Sequence, residues 1–177
     1  MIYPILTGVF AALICRSEHI GNGWKQILAL PVKRSTIFLS KLFMVILLLA
    51  GTQTLLLIFF LLLGSLFQIP SPLPFLEILV FTGKGLYATF PLAAIQLIIS
   101  IYYRSFGVPL AINIAFTLPV LTVYGQYYPW AQPALAMSPA DETPLDSLLR
   151  FYILISVLFI MITYIGIKVF EKRDLPS

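Results

Sequence analysis

The chain predicts an all-α polytopic membrane protein: five hydrophobic helices plus a short coupling helix on the cytoplasmic side. Three observations carry the prediction. Of 177 residues, 60% are hydrophobic and only 10% charged, whereas a soluble domain carries about a quarter charged residues. A chain this poor in polar surface has the bilayer as its natural solvent. Uncharged apolar runs then recur at lengths that suit a membrane span. Finally, the basic residues segregate. With Arg16–Lys41 placed inside, nine of eleven fall inside (Arg16, Lys25, Lys33, Arg34, Lys41, Arg104, Lys168, Lys172 and Arg173), and only Lys84 and Arg150 fall outside. That asymmetry orients a membrane protein with its C-terminus in the cytoplasm.

Taken in order, the single transmembrane domain covers 1–177, with spans at about 1–15, 42–67, 86–103, 106–124 and 151–169. The first run is shorter than the roughly 20 residues a bilayer needs and lacks the basic start of a signal peptide. This layout also puts Met1 outside, so one further helix before it is expected, giving six in all. Prolines at 70, 72 and 74 end the second span, and 68–85 is an outer loop whose 75–82 part is expected to form a shelf. Arg104-Ser105 is an inner turn. Residues 125–150 form a second outer loop, in which Thr143-Pro144-Leu145-Asp146 has the order of a helix start. Tyr127, Tyr128, Trp130 and Tyr152 are expected to form an outer aromatic belt, with Trp24, Tyr102 and Tyr103 on the inner side.

Composition also excludes chemistry. A net charge of +4 is explained by topology without nucleic acid. One cysteine and one histidine leave no metal set, and no cofactor is expected. There is no phosphate-binding GxxxxGK[ST] loop, no HExxH and no paired-carboxylate site, so an enzyme is not expected. The spans contain no ionisable residue at their centres, unlike ion-coupled pumps. Their polar residues read first as glue between helices, at about 0.6 kcal/mol per contact. Gln53, Gln96 and Asn113 are the sharper candidates for lining a path across the membrane. Pro91, Pro109 and Pro119 are expected to kink their helices, and the small-residue ridge Gly107, Ala111, Ala115 to pack within the chain.

Residues 16–41 are the one long polar interruption with clustered positive charge. Asn22 can cap a helix starting at Gly23. Trp24, Ile27 and Leu28 then share one apolar face at i, i+3 and i+4, with Lys25, Gln26 and Ala29 turned away. Pro31 stops it, and Ser35 or Thr36 can start the next helix. Such a helix also suits an interfacial anchor of the loop.

The run Glu18, Gly23-Trp24-Lys25-Gln26-Ile27-Leu28-Ala29-Leu30-Pro31-Val32-Lys33-Arg34-Ser35 and Leu39-Ser40-Lys41 resembles the first cytoplasmic loop of type-2 ABC exporter permeases. The likeness is closest to the lantibiotic-immunity and bacitracin-resistance permeases, with Gly23 standing where that family commonly has Thr. Tyr103-Arg104-Ser105-Phe106, Tyr128-Pro129-Trp130 and Lys172-Arg173-Asp174 extend it more weakly. The resemblance implies six helices in a complete member, so this chain looks like one lacking its first. It also implies a separate ABC ATP-binding subunit as partner, a second permease subunit in a homo- or heterodimer, and membrane lipid as surroundings. The site residues it implies are Glu18, Trp24, Lys25, Ile27, Leu28, Pro31 and Arg34, with Trp24, Ile27 and Leu28 as the apolar contact to the ATPase and Glu18 and Arg34 bracing its ends. The expected function is an exporter permease for a hydrophobic or amphipathic compound such as a peptide antibiotic. The alternative is a membrane immunity or anchor protein that binds its ligand without transporting it.

Overall fold

The computed structural model describes residues 2–20, 23–67, 75–121, 128–137 and 148–172. Among them the chain is helical with no strand. In order, the helices are α1 (Ile2–His19), α2 (Gly23–Ala29), α3 (Arg34–Leu66), α4 (Phe75–Ala88), α5 (Phe90–Tyr102), α6 (Gly107–Thr117) continued by a 3-10 turn (Leu118–Leu121), α7 (Gln132–Ala136) and α8 (Leu148–Glu171). Three described stretches are long and apolar enough to cross a membrane: Arg34–Leu66, Phe75–Tyr102 and Leu149–Glu171.

α5 is the centre. It packs against α1 and α8, with α3 also on it, and α6 packs mainly on α1 while also touching α5. Leu92, Ala93, Ala94, Gln96 and Leu97 are fully buried. α3 touches this core by one narrow seam, Phe38, Leu42, Val45, Leu49 and Gln53, spaced at 3–4 residues as a single helix face requires. Its other faces carry exposed Phe43, Leu47, Leu55, Phe59 and Leu62, the surface hydrocarbon would cover. At 33 residues and about 1.5 Å per residue, α3 is longer than the hydrocarbon core is thick. Gly166 on α8 permits a close crossing, since a Cβ there would lie 2.6 Å from Phe38 Cζ and 2.9 Å from the Ile98 side chain.

Several expectations are corrected. The 75–82 shelf and the 86–103 span are instead α4 and α5, almost one continuous helix broken only at Thr89. Pro91 accounts for the break, because it has no N–H for the carbonyl four residues back and its ring crowds that carbonyl. Pro109 lies in the first turn of α6, where no donor is needed, and Pro119 falls beyond the end of α6; neither kinks a helix. The ridge Gly107, Ala111, Ala115 is exposed, whereas α6 buries Pro109, Asn113 and Thr117. Two residues of offset is about 200° around a helix, so burying the polar side chains sends the small ones outward. Trp130 is buried among protein groups rather than set in a belt. The short α7, which packs on α4, is an element the sequence reading lacked. The Asn22 cap, the prolines at 70–74 and the 143–146 helix start lie outside the described residues.

Candidate functional site

α2 forms where the sequence places it. Gly23 opens it, because a Cβ there would stand 2.8 Å from Glu18 Cα and 3.3 Å from the Glu18 and Ser17 carbonyl oxygens. Those are backbone atoms that cannot yield, so glycine lets α2 fold back against the end of α1. Beyond Ala29 the chain turns through Leu30–Val32, with the Val32 N–H donating to the Leu30 carbonyl at 2.7 Å. α3 then begins after Lys33.

Trp24 joins this helix to the rest of the molecule. It is 6% exposed, and its indole Nε1–H donates to His19 Nδ1 at 3.1 Å. The ring meets His19 edge-on at 5.6 Å and Phe170 of α8 at 5.7 Å. The Lys41 ammonium of α3 lies over its face at 5.2 Å, in cation–π range. His19 reaches onward, with Nε2 lying 3.0 Å from the Ser100 carbonyl of α5. A carbonyl only accepts and an indole N–H only donates, so these two bonds require the tautomer protonated on Nε2. Lys41 also pairs with Glu18 of α1 at 2.5 Å, their side chains 9% and 14% exposed. Arg34 Nη1 donates to the Glu171 carbonyl at 2.9 Å, tying the start of α3 to the end of α8. One indole is thus in contact with α1, α3 and α8, and through His19 with α5.

This arrangement divides the expected coupling residues. Glu18, Trp24 and Arg34 contact their own chain, and Ile27 and Leu28 pack half-buried on the core. The apolar face of α2 thus packs on the helix ends of its own chain, with Trp24 buried and Ile27 and Leu28 partly buried there. Lys25 and Pro31 are exposed. With them stand Leu30, Val32 and Lys33, with Leu30 56% and Val32 46% exposed. The sequence reading overlooked Leu30 and Val32; their place just beyond the helix stop was the available signal.

The three path candidates lie on separate seams. Asn113 is fully engaged: its Nδ2 donates to the Pro4 carbonyl at 2.5 Å and the Ile5 carbonyl at 3.4 Å. Its Oδ1 accepts from Trp130 Nε1–H at 2.9 Å, and the Trp130 ring stacks with both Phe116 and Tyr128. The Tyr128 hydroxyl donates to the Phe116 carbonyl, and burial raises its pKa above the usual phenol value. Gly8 makes this clasp possible, since a Cβ there would overlap the Asn113 amide. Gln53 Nε2 donates to the Thr82 carbonyl of α4 at 3.3 Å, while its Oε1 is unpartnered. Gln96 is fully buried in α5, with neither amide atom in a hydrogen bond. Among the described residues no cluster of side chains could hold a metal ion.

Compared with known proteins, the chain matches the family model described as ABC-2 family transporter protein over residues 1–120. Neither a curated protein nor a solved structure matches it.

Proposed function

Because the chain belongs to the ABC-2 family of transporter proteins, a group of membrane components that work with an ATP-binding partner, we propose that it is an exporter permease subunit driven through α2. The observation that supports this reading is the Trp24 junction. A short helix with one exposed edge is fixed on its other side to α1, α3 and α8, so force applied to that edge reaches three helix ends together. In this proposal the α2 side faces the cytoplasm, in keeping with the count of basic residues. The ATP-binding subunit docks on Lys25, Leu30, Pro31, Val32 and Lys33. Trp24, Ile27, Leu28, Glu18 and Arg34 transmit the load.

The proposed cargo is a hydrophobic or amphipathic compound such as a peptide antibiotic, and a second permease subunit completes the path. Gln96 is the residue best suited to face that path, because an amide without a partner in an apolar interior is costly and calls for an explanation. Asn113 has no polar atom left to offer.

The test is co-purification with the cognate ATP-binding subunit. Leu30→Asp with Val32→Asp should abolish its capture. Trp24→Ala should leave capture largely intact but lower transport-dependent ATP turnover. Undiminished capture by the double variant would remove the turn that follows α2 as the docking element.

A further inference from the structure

On the α2 side of the molecule, α1, the end of α5 and the start of α6 meet at a shallow, open crevice. Arg16 and His19 line it from α1, Ser100 from α5, and Tyr103, Arg104, Ser105 and Phe106 from the turn, with Ala12 and Pro109 also in its wall. Among the described residues neither Arg16 nor Arg104 has an ion-pair partner, and no acid lines the crevice. Glu18, two residues from Arg16, pairs with Lys41 through Oε1, while its Oε2 has no hydrogen-bond partner. The Ser100 hydroxyl is buried and has no hydrogen-bond partner. α6 begins at Gly107, so its positive end adds to the same field. Two unpaired guanidinium groups and an unsatisfied hydroxyl beside a helix N-terminus make a receptor for a phosphate oxyanion.

The surroundings indicate where the phosphate comes from. Next to the lining residues Ala12 and Pro109, Leu13 on α1 and Val108 on α6 are exposed apolar side chains, and exposed Ile114 and Phe116 follow farther along α6, a surface suited to acyl chains lying along the helices. We propose that this crevice binds the headgroup of an anionic phospholipid, with Arg16 and Arg104 bracketing the phosphate and the acyl chains running along α1 and α6. Because His19 and Ser100 share its wall, a bound headgroup braces the α1–α5 contact that also holds Trp24, and so stabilises the seating of α2. The assignment does not depend on an ATP-binding subunit.

The experiment uses the full chain in nanodiscs of phosphatidylcholine alone or with phosphatidylglycerol, reading thermal unfolding and the rate at which the buried Cys15 is labelled by a maleimide. Phosphatidylglycerol should slow labelling about tenfold, as expected for a ligand well above its dissociation constant. Arg16→Gln with Arg104→Gln should remove the protection while unfolding like the parent in pure phosphatidylcholine. Lys25→Gln with Lys33→Gln, which removes equal charge elsewhere, should keep it. Equal loss in both double variants would reduce the effect to general electrostatic attraction and overturn the site. Protection by inorganic phosphate in pure phosphatidylcholine would assign the crevice to a soluble anion instead. Loss of ATPase capture in the arginine variant, with lipid protection intact, would make it a protein-docking surface and also overturn the proposal.

Discussion

Replacing Trp24 by Phe tests the junction at its narrowest point. The substitution keeps a ring against Phe170 and under Lys41 but deletes the indole N–H that donates to His19 Nδ1 at 3.1 Å. His19 is then left with an acceptor that has no donor, because its Nε2 remains on the Ser100 carbonyl. Losing one such partly buried bond and stranding its acceptor costs about 1–2 kcal/mol, or roughly tenfold in the population with α2 unseated. The chain supplies its own reporter: Cys15, its one cysteine, is 1% exposed in the same cluster as Trp24. Maleimide labelling of Cys15 should therefore quicken about tenfold in Trp24→Phe. In Trp24→Ala, where a large buried side chain is lost at about 3–5 kcal/mol, it should quicken by roughly a hundredfold or more. Lys25→Ala, on the exposed edge, should label at the parent rate. Parent-like labelling in both Trp24 variants would refute the claim that the indole holds α2 in place.

Three further outcomes follow from the same geometry. Glu18→Gln should destabilise the protein by about 3 kcal/mol by leaving a largely buried Lys41 ammonium uncompensated, whereas Glu18→Leu with Lys41→Met should recover most of the loss; thermal melting in detergent reads both. Asn113→Ala should cost about 2–4 kcal/mol, since it strands the Trp130 N–H as well as removing its own bonds, with quenching of Trp130 fluorescence as a second readout. Gln96→Leu should raise the melting temperature, because it replaces an amide with no partner by a residue that needs none. Lost transport in that stabilised variant is the expected sign of a path residue, and unchanged transport would count against it.

The all-helical class was legible because uncharged apolar runs recur at the length of a membrane helix, and α2 was legible because Asn22 before it and Pro31 after it are start and stop signals. Its orientation was not. Trp24, Ile27 and Leu28 at i, i+3 and i+4 mark an apolar face, but the same spacing serves a face that docks on a partner and one that docks on its own chain. Trp130 failed for a related reason: a tryptophan near a predicted span end suits a lipid interface and a buried hydrogen bond equally well, and its partner Asn113 is 17 residues away. The proline expectations were too uniform, because a proline's effect depends on its distance from the helix start, which hydropathy does not locate. Gln53, Gln96 and Asn113 looked alike as polar residues in apolar runs, and only their hydrogen bonds distinguish a clasp from an unsatisfied amide.

The break at Thr89 has a mechanical consequence. Thr89 is fully buried, and its hydroxyl donates back to the Leu86 carbonyl at 2.6 Å, so the joint between α4 and α5 is sealed from solvent without any intervening loop. Pro91 has already removed one rung of the ladder there, so bending at that point sacrifices less than bending elsewhere along the rod. The Phe75–Tyr102 rod is thus stiff in two halves and compliant between them, and α4 can tilt while α5 keeps its place among α1, α3 and α8. Motion on the α4 side of the joint can in this way be geared separately from motion at the Trp24 end.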